Sequence, residues 1–330
     1  MTPDDVGPLR VTVALLTFRR PADLAEALAL VLAQLDDAPG CTVDVLVVDN
    51  DPGGSGGPAV RALRGNRGLG GDRVLDRDRV LDGDRVRHVV EPEPGIAAGR
   101  NRVLDETAGS DLLVFVDDDE RPHPGWLAGL LDTRARTGAA AVAGAVVSGF
   151  DGPLDPWIAA GRFFDRRRLP TGTRIDTAAT NNLLLDLRVT RRLGLRFDAG
   201  LGLSGGSDTA FTRSLTRAGE LMVWCDEAVV TDRVPTSRMT RRWVLHRAWR
   251  MGNSSTVVDV RLAVDARSRL RARGHGCAAG VPRALVGAAR FGVGVLTRST
   301  EQRSRGLRTA ARGAGMVAGA FGHVYQEYGR

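Results

Sequence analysis

The sequence predicts an α/β fold in which a mostly parallel sheet is covered by helices on both faces. Three short apolar runs rich in valine and leucine, at 11–16, 43–48 and 112–116, lack the polar alternation of half-exposed strands. Helical periodicity separates them, first at 24–35. Continuous apolar strands that alternate with helices are typical of parallel sheets buried between two helical layers.

Each further element follows from a local signal. Pro21 opens the first helix, because proline is favoured in a helix's first turn. From about residue 254 the chain is rich in Arg, Ala and Gly and is predicted to be helical. The remaining predicted elements are strands at 86–90 and from 223 to about 232, and helices at 101–107, 208–218 and 241–251; residues 183–187 are a further apolar run.

This pattern predicts an α/β domain at residues 1–255 and a helical C-terminal extension at residues 256–330. Within the first domain, a tandem Asp-Arg-Val-Leu-Asp repeat marks residues 72–87 as a low-complexity surface insertion. Repeat units this short do not build a solenoid.

Composition limits the classes of protein to consider. All 46 basic residues are arginine and the net charge is +7, which fits either a general arginine bias or a use for anionic partners. The three cysteines form no CxxC pair, which argues against a disulfide framework or zinc knuckle and favours a reducing compartment. With no signal-peptide pattern and no apolar run of about 18 residues, we expect a cytoplasmic protein, soluble or peripheral at the inner face of the plasma membrane.

Two short segments carry side chains suited to chemistry. Asp117, Asp118 and Asp119 directly follow a buried strand, and carboxylates there need solvent or a cation. They suit Mg²⁺ or Mn²⁺ together with a diphosphate, because these ions prefer oxygen ligands; an acidic helix-capping turn is the alternative. Asp208 follows a Gly-rich stretch at a predicted helix start, so it is either an N-cap or a general base on a mobile loop.

Five short segments follow one another along the chain. They are Thr17-Phe18-Arg19-Arg20, Val48-Asp49-Asn50-Asp51, the stretch 94–101, Phe115-Val116-Asp117-Asp118-Asp119, and the stretch 205–209. In this order they resemble the inverting family 2 glycosyltransferases, which have the GT-A fold. The resemblance covers roughly residues 10–255, and it implies transfer of a sugar from a nucleoside diphosphate donor, UDP first among them, to a sugar, lipid-linked or small-molecule acceptor. Residues from 237 onward resemble members that build exopolysaccharides or modify secondary metabolites.

The resemblance assigns donor-binding roles to residues of the predicted sheet. Thr17 and Arg19 are expected to line the nucleoside pocket, and Asp49 to hydrogen-bond the base or ribose. Arg100 is expected to contact the nucleotide, and Asp117 to approach the ribose.

The metal and the acceptor involve later residues. Asp119 is expected to bind the ion that bridges the diphosphate, with Asp232 where many relatives place a histidine ligand. Asp208 is the expected base, although Ser207 stands where the family has Glu. Arg247 is a candidate clamp on the diphosphate, because a guanidinium binds phosphate bidentately; a basic helix face on anionic lipid is its alternative.

Two alternative functions agree with part of the sequence, a nucleotidyltransferase and a nucleic-acid-binding module. A nucleotidyltransferase making nucleotide-sugars would carry a Gly-rich loop after the first strand, where this chain has Thr17-Phe18-Arg19-Arg20-Pro21. A nucleic-acid-binding module has only the charge in its favour, and acidic clusters would repel phosphate unless a metal intervened. We therefore expect no nucleic-acid partner. For the C-terminal extension, packing on the core and contact with an anionic membrane both remain open.

Overall fold

The computed structural model describes residues 7–66, 85–202 and 205–324. The strands are β1 Leu9–Thr17, β2 Cys41–Asp49, β3 Val86–Val90, β4 Leu112–Asp117, β5 Glu120–Pro122, β6 Ala141–Phe150, β7 Asn182–Asp186 and β8 Met222–Val234. The α-helices are α1 Pro21–Leu32, α2 Gly57–Asn66, α3 Ile96–Glu106, α4 Trp126–Thr137, α5 Pro156–Gly161, α6 Leu187–Arg192, α7 Ser207–Arg217, α8 Arg241–Arg261, α9 Ala266–Leu296 and α10 Thr300–Ala320.

The described strands form one mixed sheet in the order β3-β2-β1-β4-β7-β6-β8-β5. The half from β3 to β4 is parallel throughout. The other half introduces antiparallel pairs, β7 with β4 and with β6, and β5 with β8. The predicted α/β class is confirmed, but the sheet is less parallel than the apolar runs suggested, because a strand buried on both faces reads as the same run in either orientation.

Strand β1 shows why these apolar runs fold as central strands. Val11, Val13 and Leu15 belong to the core cluster that also contains residues of α1 and α4. Ala14 and Leu16 belong to the opposite cluster, with residues of α3. Successive side chains of a strand point to opposite faces, so a strand buried on both sides is apolar at most positions. The buried Thr12 of β1 is hydrogen-bonded to Asp44 and Ser110.

The chain divides into two compact units. The sheet unit comprises Met1–Val147, Arg167–Ala199 and Phe211–Asp232, and the helical unit comprises Ser148–Arg166, Gly200–Ala210 and Arg233–Arg330. Within the helical unit, α10 packs against α5, α8 and α9. The domain boundary predicted between residues 255 and 256 falls inside helix α8, which spans Arg241–Arg261. That boundary stays a prediction.

The structure differs from the predicted elements at β6 and α9, and it describes only part of the repeat. Most of the repeat at 72–87 lies outside the described residues, and its last residues begin β3. Strand β6 was missed, because its alanine-rich stretch gave no clear signal. Among the described helices, one is long and apolar enough to cross a membrane by length and composition: α9, which continues through Pro282.

Candidate active site

Three polar residues meet at one edge of the sheet because their strands are parallel neighbours. Strand β1 ends at Thr17, β2 ends at Asp49, and β4 ends at Asp117. Thr17 is the register partner of Asp49, and Leu16 is that of Asp117. Ligands of open α/β sheets bind at the carboxyl ends of the strands, so this edge is the candidate donor site.

The acidic turn after β4 is tied to the β1–α1 loop. The Thr17 hydroxyl donates to Asp118 Oδ2 at 2.8 Å. Arg20 Nη1 donates to Asp119 Oδ2 at 2.8 Å and to Asp118 Oδ1 at 3.3 Å. Burial raises the pKa of the Asp118 carboxyl to about 6; the Arg20 charge opposes this shift and the Asp119 carboxylate adds to it.

Glu120 is the most deeply buried acid of this turn, with 1% of its surface exposed. Its Oε1 accepts a short hydrogen bond from Asn181 Nδ2, while its Oε2 is buried with no hydrogen-bond partner. Burial, followed by repulsion from Asp117, Asp232 and Asp119, raises the pKa of the Glu120 carboxyl well above its ordinary value. Ionisation of Glu120 is therefore unfavourable unless a positive charge lies nearby.

Asp232 joins this group through the sheet. Glu120 of β5 is the register partner of Asp232 of β8, which brings residues from distant parts of the chain to one edge. Oxygen ligands of this kind suit Mg²⁺ or Mn²⁺, and a cation would relieve the repulsion around Glu120. The donor set fits a divalent ion, although no three Asp, Glu, His or Cys side chains among the described residues already meet in a metal-binding arrangement.

Asp49 lies inside the loop that follows β2 and is completely buried. Its Oδ2 accepts a hydrogen bond from the Gly56 amide at 2.6 Å and its Oδ1 one from the Asp51 amide at 3.0 Å. A Cβ at Gly56 would lie 3.1 Å from Asp49 Oδ2, so a larger residue there would crowd this carboxylate. Burial disfavours the carboxylate, yet nearby His88 and these two amides outweigh it, and the pKa of Asp49 lies below its ordinary value. Here Asp49 organises its loop.

The two arginines of the predicted donor site have partners in the sheet unit. Arg19 has a positive φ of 55°, and its Nε lies 3.2 Å from Asp51 Oδ1. Arg100 is buried in α3, with its guanidinium 5.5 Å from the centre of the Phe197 ring. The Asn101 side chain holds the backbone of Phe197 in place: its Nδ2 donates to the Phe197 carbonyl and its Oδ1 accepts from the Phe197 amide, both at 2.9 Å. The Arg100 guanidinium therefore lies against an aromatic ring within the sheet unit.

Two predicted site residues belong to the helical unit. Asp208 lies in the first turn of α7 and accepts a hydrogen bond from the Thr209 amide at 2.7 Å. Gly205 and Gly206 precede it with φ of 77° and 94°, a conformation that favours glycine. Arg247 of α8 places its guanidinium 5.8 Å from the centre of the Phe164 ring and 5.5 Å from that of Trp243.

Some residues of the acidic edge had no assigned role in the sequence. Arg20, Asp118, Glu120 and Asn181 are the clearest. The local sequence points only to Asp118 and Glu120, because they belong to an unbroken acidic stretch directly after a buried strand. The pairing of Arg20 with Asp119 and of Asn181 with Glu120 depends on the tertiary fold.

The sequence and the structure both resemble glycosyltransferases. The structure is similar to that of S. aureus TarS 1-349 in complex with UDP-GlcNAc, with a TM-score of 0.51 and 13% identity, covering 91% of each chain. It is also similar to GalNAc-T7 with UDP, GalNAc and Mn²⁺, with a TM-score of 0.50 and 12% identity, covering 82% of this chain and 55% of that one. At these identities the likeness establishes the fold, which is GT-A.

Sequence comparison is more specific. Succinoglycan biosynthesis protein ExoM of Rhizobium meliloti is 32% identical over 323 residues, which are 97% of this chain and 96% of that protein. The Glycosyl transferase family 2 model matches residues 12–194, more than half of the chain. These findings favour the transferase over the nucleotidyltransferase and nucleic-acid hypotheses. The chain therefore belongs to glycosyl transferase family 2, and it is a glycosyltransferase that uses a nucleotide-sugar donor.

Proposed function

We propose that this enzyme is an inverting transferase that moves a sugar from a UDP-sugar to a hydroxyl group of a growing polysaccharide or a related sugar, lipid-linked or small-molecule acceptor. The observation that carries the proposal is the group of acidic residues at the carboxyl edge of the sheet, around the buried Glu120, whose Oε2 has no hydrogen-bond partner. UDP is the favoured nucleotide because both solved neighbours hold UDP or a UDP-sugar. A polysaccharide context follows from the name of the ExoM relative.

The donor would lie along the ends of β1, β2 and β4. Thr17 and Arg19 would line the nucleoside pocket, Asp117 would approach the ribose, and Arg100 would contact the nucleotide. Their support is the shared sheet edge and the stacked position of Arg100. Asp49 would act on the base or ribose chiefly by fixing its loop, since both its carboxylate oxygens already accept backbone amides.

Asp119 and Asp232 would hold Mg²⁺ or Mn²⁺. When bound, such an ion supplies positive charge that stabilises the departing nucleoside diphosphate. Electrostatic repulsion at Glu120 from Asp117, Asp119 and Asp232 supports a cation here. Mn²⁺ in the GalNAc-T7 structure supports the choice of ion.

Asp208 would be the general base. Its carboxylate would take the proton of the acceptor hydroxyl as that oxygen attacks the anomeric carbon, and the bond from that carbon to the diphosphate oxygen would break. A single displacement of this kind inverts the configuration at the anomeric carbon. Asp208 at the start of α7, after two glycines with positive φ, is suited to a loop that adjusts to an acceptor. Arg247 would add a cationic contact to the diphosphate.

The proposal includes a cytoplasmic location, peripheral at the inner face of the plasma membrane. Nucleotide-sugar donors and the absence of a CxxC pair from the sequence fit a reducing compartment.

The proposal is tested by measuring UDP release from a panel of UDP-sugars, with Mn²⁺, with Mg²⁺ and with EDTA. We expect release to require a divalent ion and to fall about 100-fold or more in Asp119→Asn. The matched control is Asp132→Asn, an exposed acid of α4 paired with Arg136, which should keep wild-type activity. Full activity in EDTA would refute the metal role, and release of pyrophosphate would support a nucleotidyltransferase.

A second variant tests the base. Asp208→Asn should retain UDP binding, seen as a rise in melting temperature, but lose transfer by about 10²-fold to 10⁴-fold. Analysis of the product's anomeric configuration tests inversion directly. A near-wild-type rate in Asp208→Asn would remove the residue from the mechanism.

A further inference from the structure

Helix α9 buries its smallest residues and exposes its largest ones. Its buried residues are all glycine, at positions 276, 280, 287 and 294. Helices on the surface of water-soluble domains show the reverse, with large apolar side chains turned toward the core. The exposed large hydrophobic residues of α9, with the exposed percentage of each, are Leu270 72%, Val281 46%, Leu285 66%, Val286 62%, Val293 51%, Val295 51% and Leu296 85%.

The glycines are needed because α9 and α10 approach each other backbone to backbone. A Cβ at Gly280 would lie 2.9 Å from Gly313 O, and one at Gly294 would lie 2.5 Å from Arg303 N. From α10, a Cβ at Gly306 would lie 2.5 Å from Phe291 N. Close approach through small residues is the way helices associate in lipid, where burying large apolar side chains brings no gain.

The outward face of α9 is uncharged over most of its length. At 100° per residue, Val281, Leu285 and Leu296 lie on the side opposite the buried glycines. The two arginines of this stretch turn toward α10: Arg283 Nη1 lies 3.4 Å from Met316 Sδ, and Arg290 Nε donates to Gln302 Oε1 at 2.6 Å. From residue 278 to residue 296 this leaves an apolar band about 27 Å long.

Exposed arginines stand at both ends of the band. Arg267 and Arg271 precede it on the same side of the helix, and Arg298 follows it. Guanidinium groups beside an apolar surface complement the charge of anionic lipid headgroups. The most apolar window of α9 is only 17% buried, so the helix is not the covered core helix of a water-soluble domain.

We propose that the outward face of α9 lies in the plane of an anionic membrane surface, with its apolar band in contact with the acyl-chain boundary and its terminal arginines on the headgroups. This inference rests on the peripheral location included in the proposed function and assigns that membrane contact to one face of α9. Arg283, Arg290 and Pro282 within the helix favour this arrangement over a membrane span.

The test is co-sedimentation of the full-length chain with phosphatidylcholine vesicles containing roughly one third phosphatidylglycerol. We expect wild-type protein to bind and the double variant Val281→Gln, Leu285→Gln to bind about tenfold or more weakly. Arg267→Gln with Arg271→Gln should weaken binding to these vesicles while leaving binding to pure phosphatidylcholine unchanged. The matched control is Leu30→Gln, an exposed leucine of α1, which should bind like wild type.

The rise in melting temperature caused by UDP should be the same in the wild type and in all these variants. An unchanged rise shows that a variant that no longer binds vesicles still has an intact donor site. Wild-type protein that does not sediment with the vesicles would overturn the proposal. So would equal binding by the Val281, Leu285 variant. A wild-type dimer that this variant dissociates, with no vesicle binding by either, would assign the face to a second copy of the chain instead.

Discussion

The guanidinium of Arg20 lies 2.8 Å from the carboxylate of Asp119, the residue proposed to bind the divalent ion. Arg20 is 39% exposed at its side chain, whereas Asp119 is 18% exposed. The arginine thus neutralises in part the carboxylate on which a cation would act, and the two cations compete for one acid.

We therefore expect Arg20→Gln to raise the affinity for Mn²⁺, by about threefold because an exposed ion pair is worth at most about 1 kcal/mol. Titration calorimetry with Mn²⁺ measures the change. Arg20→Lys should stay close to wild type, and Arg136→Gln, which removes an exposed arginine of α4, should have no effect. A lower affinity in Arg20→Gln would show that Arg20 assists the ion.

The raised pKa of Asp118 predicts a dependence of stability on pH. In the unfolded chain this carboxyl ionises at its ordinary pKa of 3.8, and in the folded protein at about 6. The folded state therefore holds its proton more tightly, so the free energy of unfolding should fall as the pH rises from about 4 through the folded pKa to about 7, by on the order of 3 kcal/mol in all, and should level off above that range.

Urea denaturation in EDTA at several pH values measures this loss. Asp118→Asn removes the ionisable group while the Asn oxygen still accepts from Thr17, so its stability should change less over that range. Asp132→Asn should retain the wild-type slope, because that acid is 63% exposed. An unchanged slope in Asp118→Asn would assign the pH dependence to another group.

The buried Asn182 side chain, at the start of β7, links α4, β6 and β8, and its replacement should destabilise the fold. Its side-chain oxygen accepts from the Trp126 indole at 2.8 Å, and its amide donates to the carbonyls of Ala145 and Ala228 at 3.0 and 2.8 Å. Asn182→Leu leaves three buried groups without partners and should cost about 3 kcal/mol. Trp126→Phe removes only one of these hydrogen bonds, so the loss of hydrogen-bond energy should be smaller than in Asn182→Leu. It also loses packing contacts of the larger indole ring. Chemical denaturation compares the two variants.

The close helix pair predicts opposite effects for two glycines. A Cβ at Gly313 would lie 2.5 Å from Ala284 N and 2.6 Å from Gly280 O, so Gly313→Ala forces α9 and α10 apart and should lower the free energy of unfolding by about 2 kcal/mol. Gly292 has open space around its position, and Gly292→Ala should be neutral or add about 0.5–1 kcal/mol through helix propensity. Thermal or urea unfolding separates the two, and equal losses would show that the packing does not matter.

Much of the fold and part of the site follow from short-range sequence patterns. Runs such as 11–16 and 112–116 are apolar at nearly every position, which is typical of a strand buried on both faces, and the acids after 112–116 mark the edge where such strands end. The glycines before Asp208 equally mark a turn that needs positive φ.

Pairing between distant residues was decided only by the tertiary structure. The sequence gives no sign that Glu120 lies opposite Asp232, that Arg20 reaches Asp119, or that β7 runs antiparallel, because these depend on which strands lie side by side. The sequence likewise shows glycines and valines in α9, but only the packing of α10 shows which of them face inward. Local periodicity and turn chemistry act over a few residues, whereas charge compensation and helix contacts arise from segments far apart in the chain.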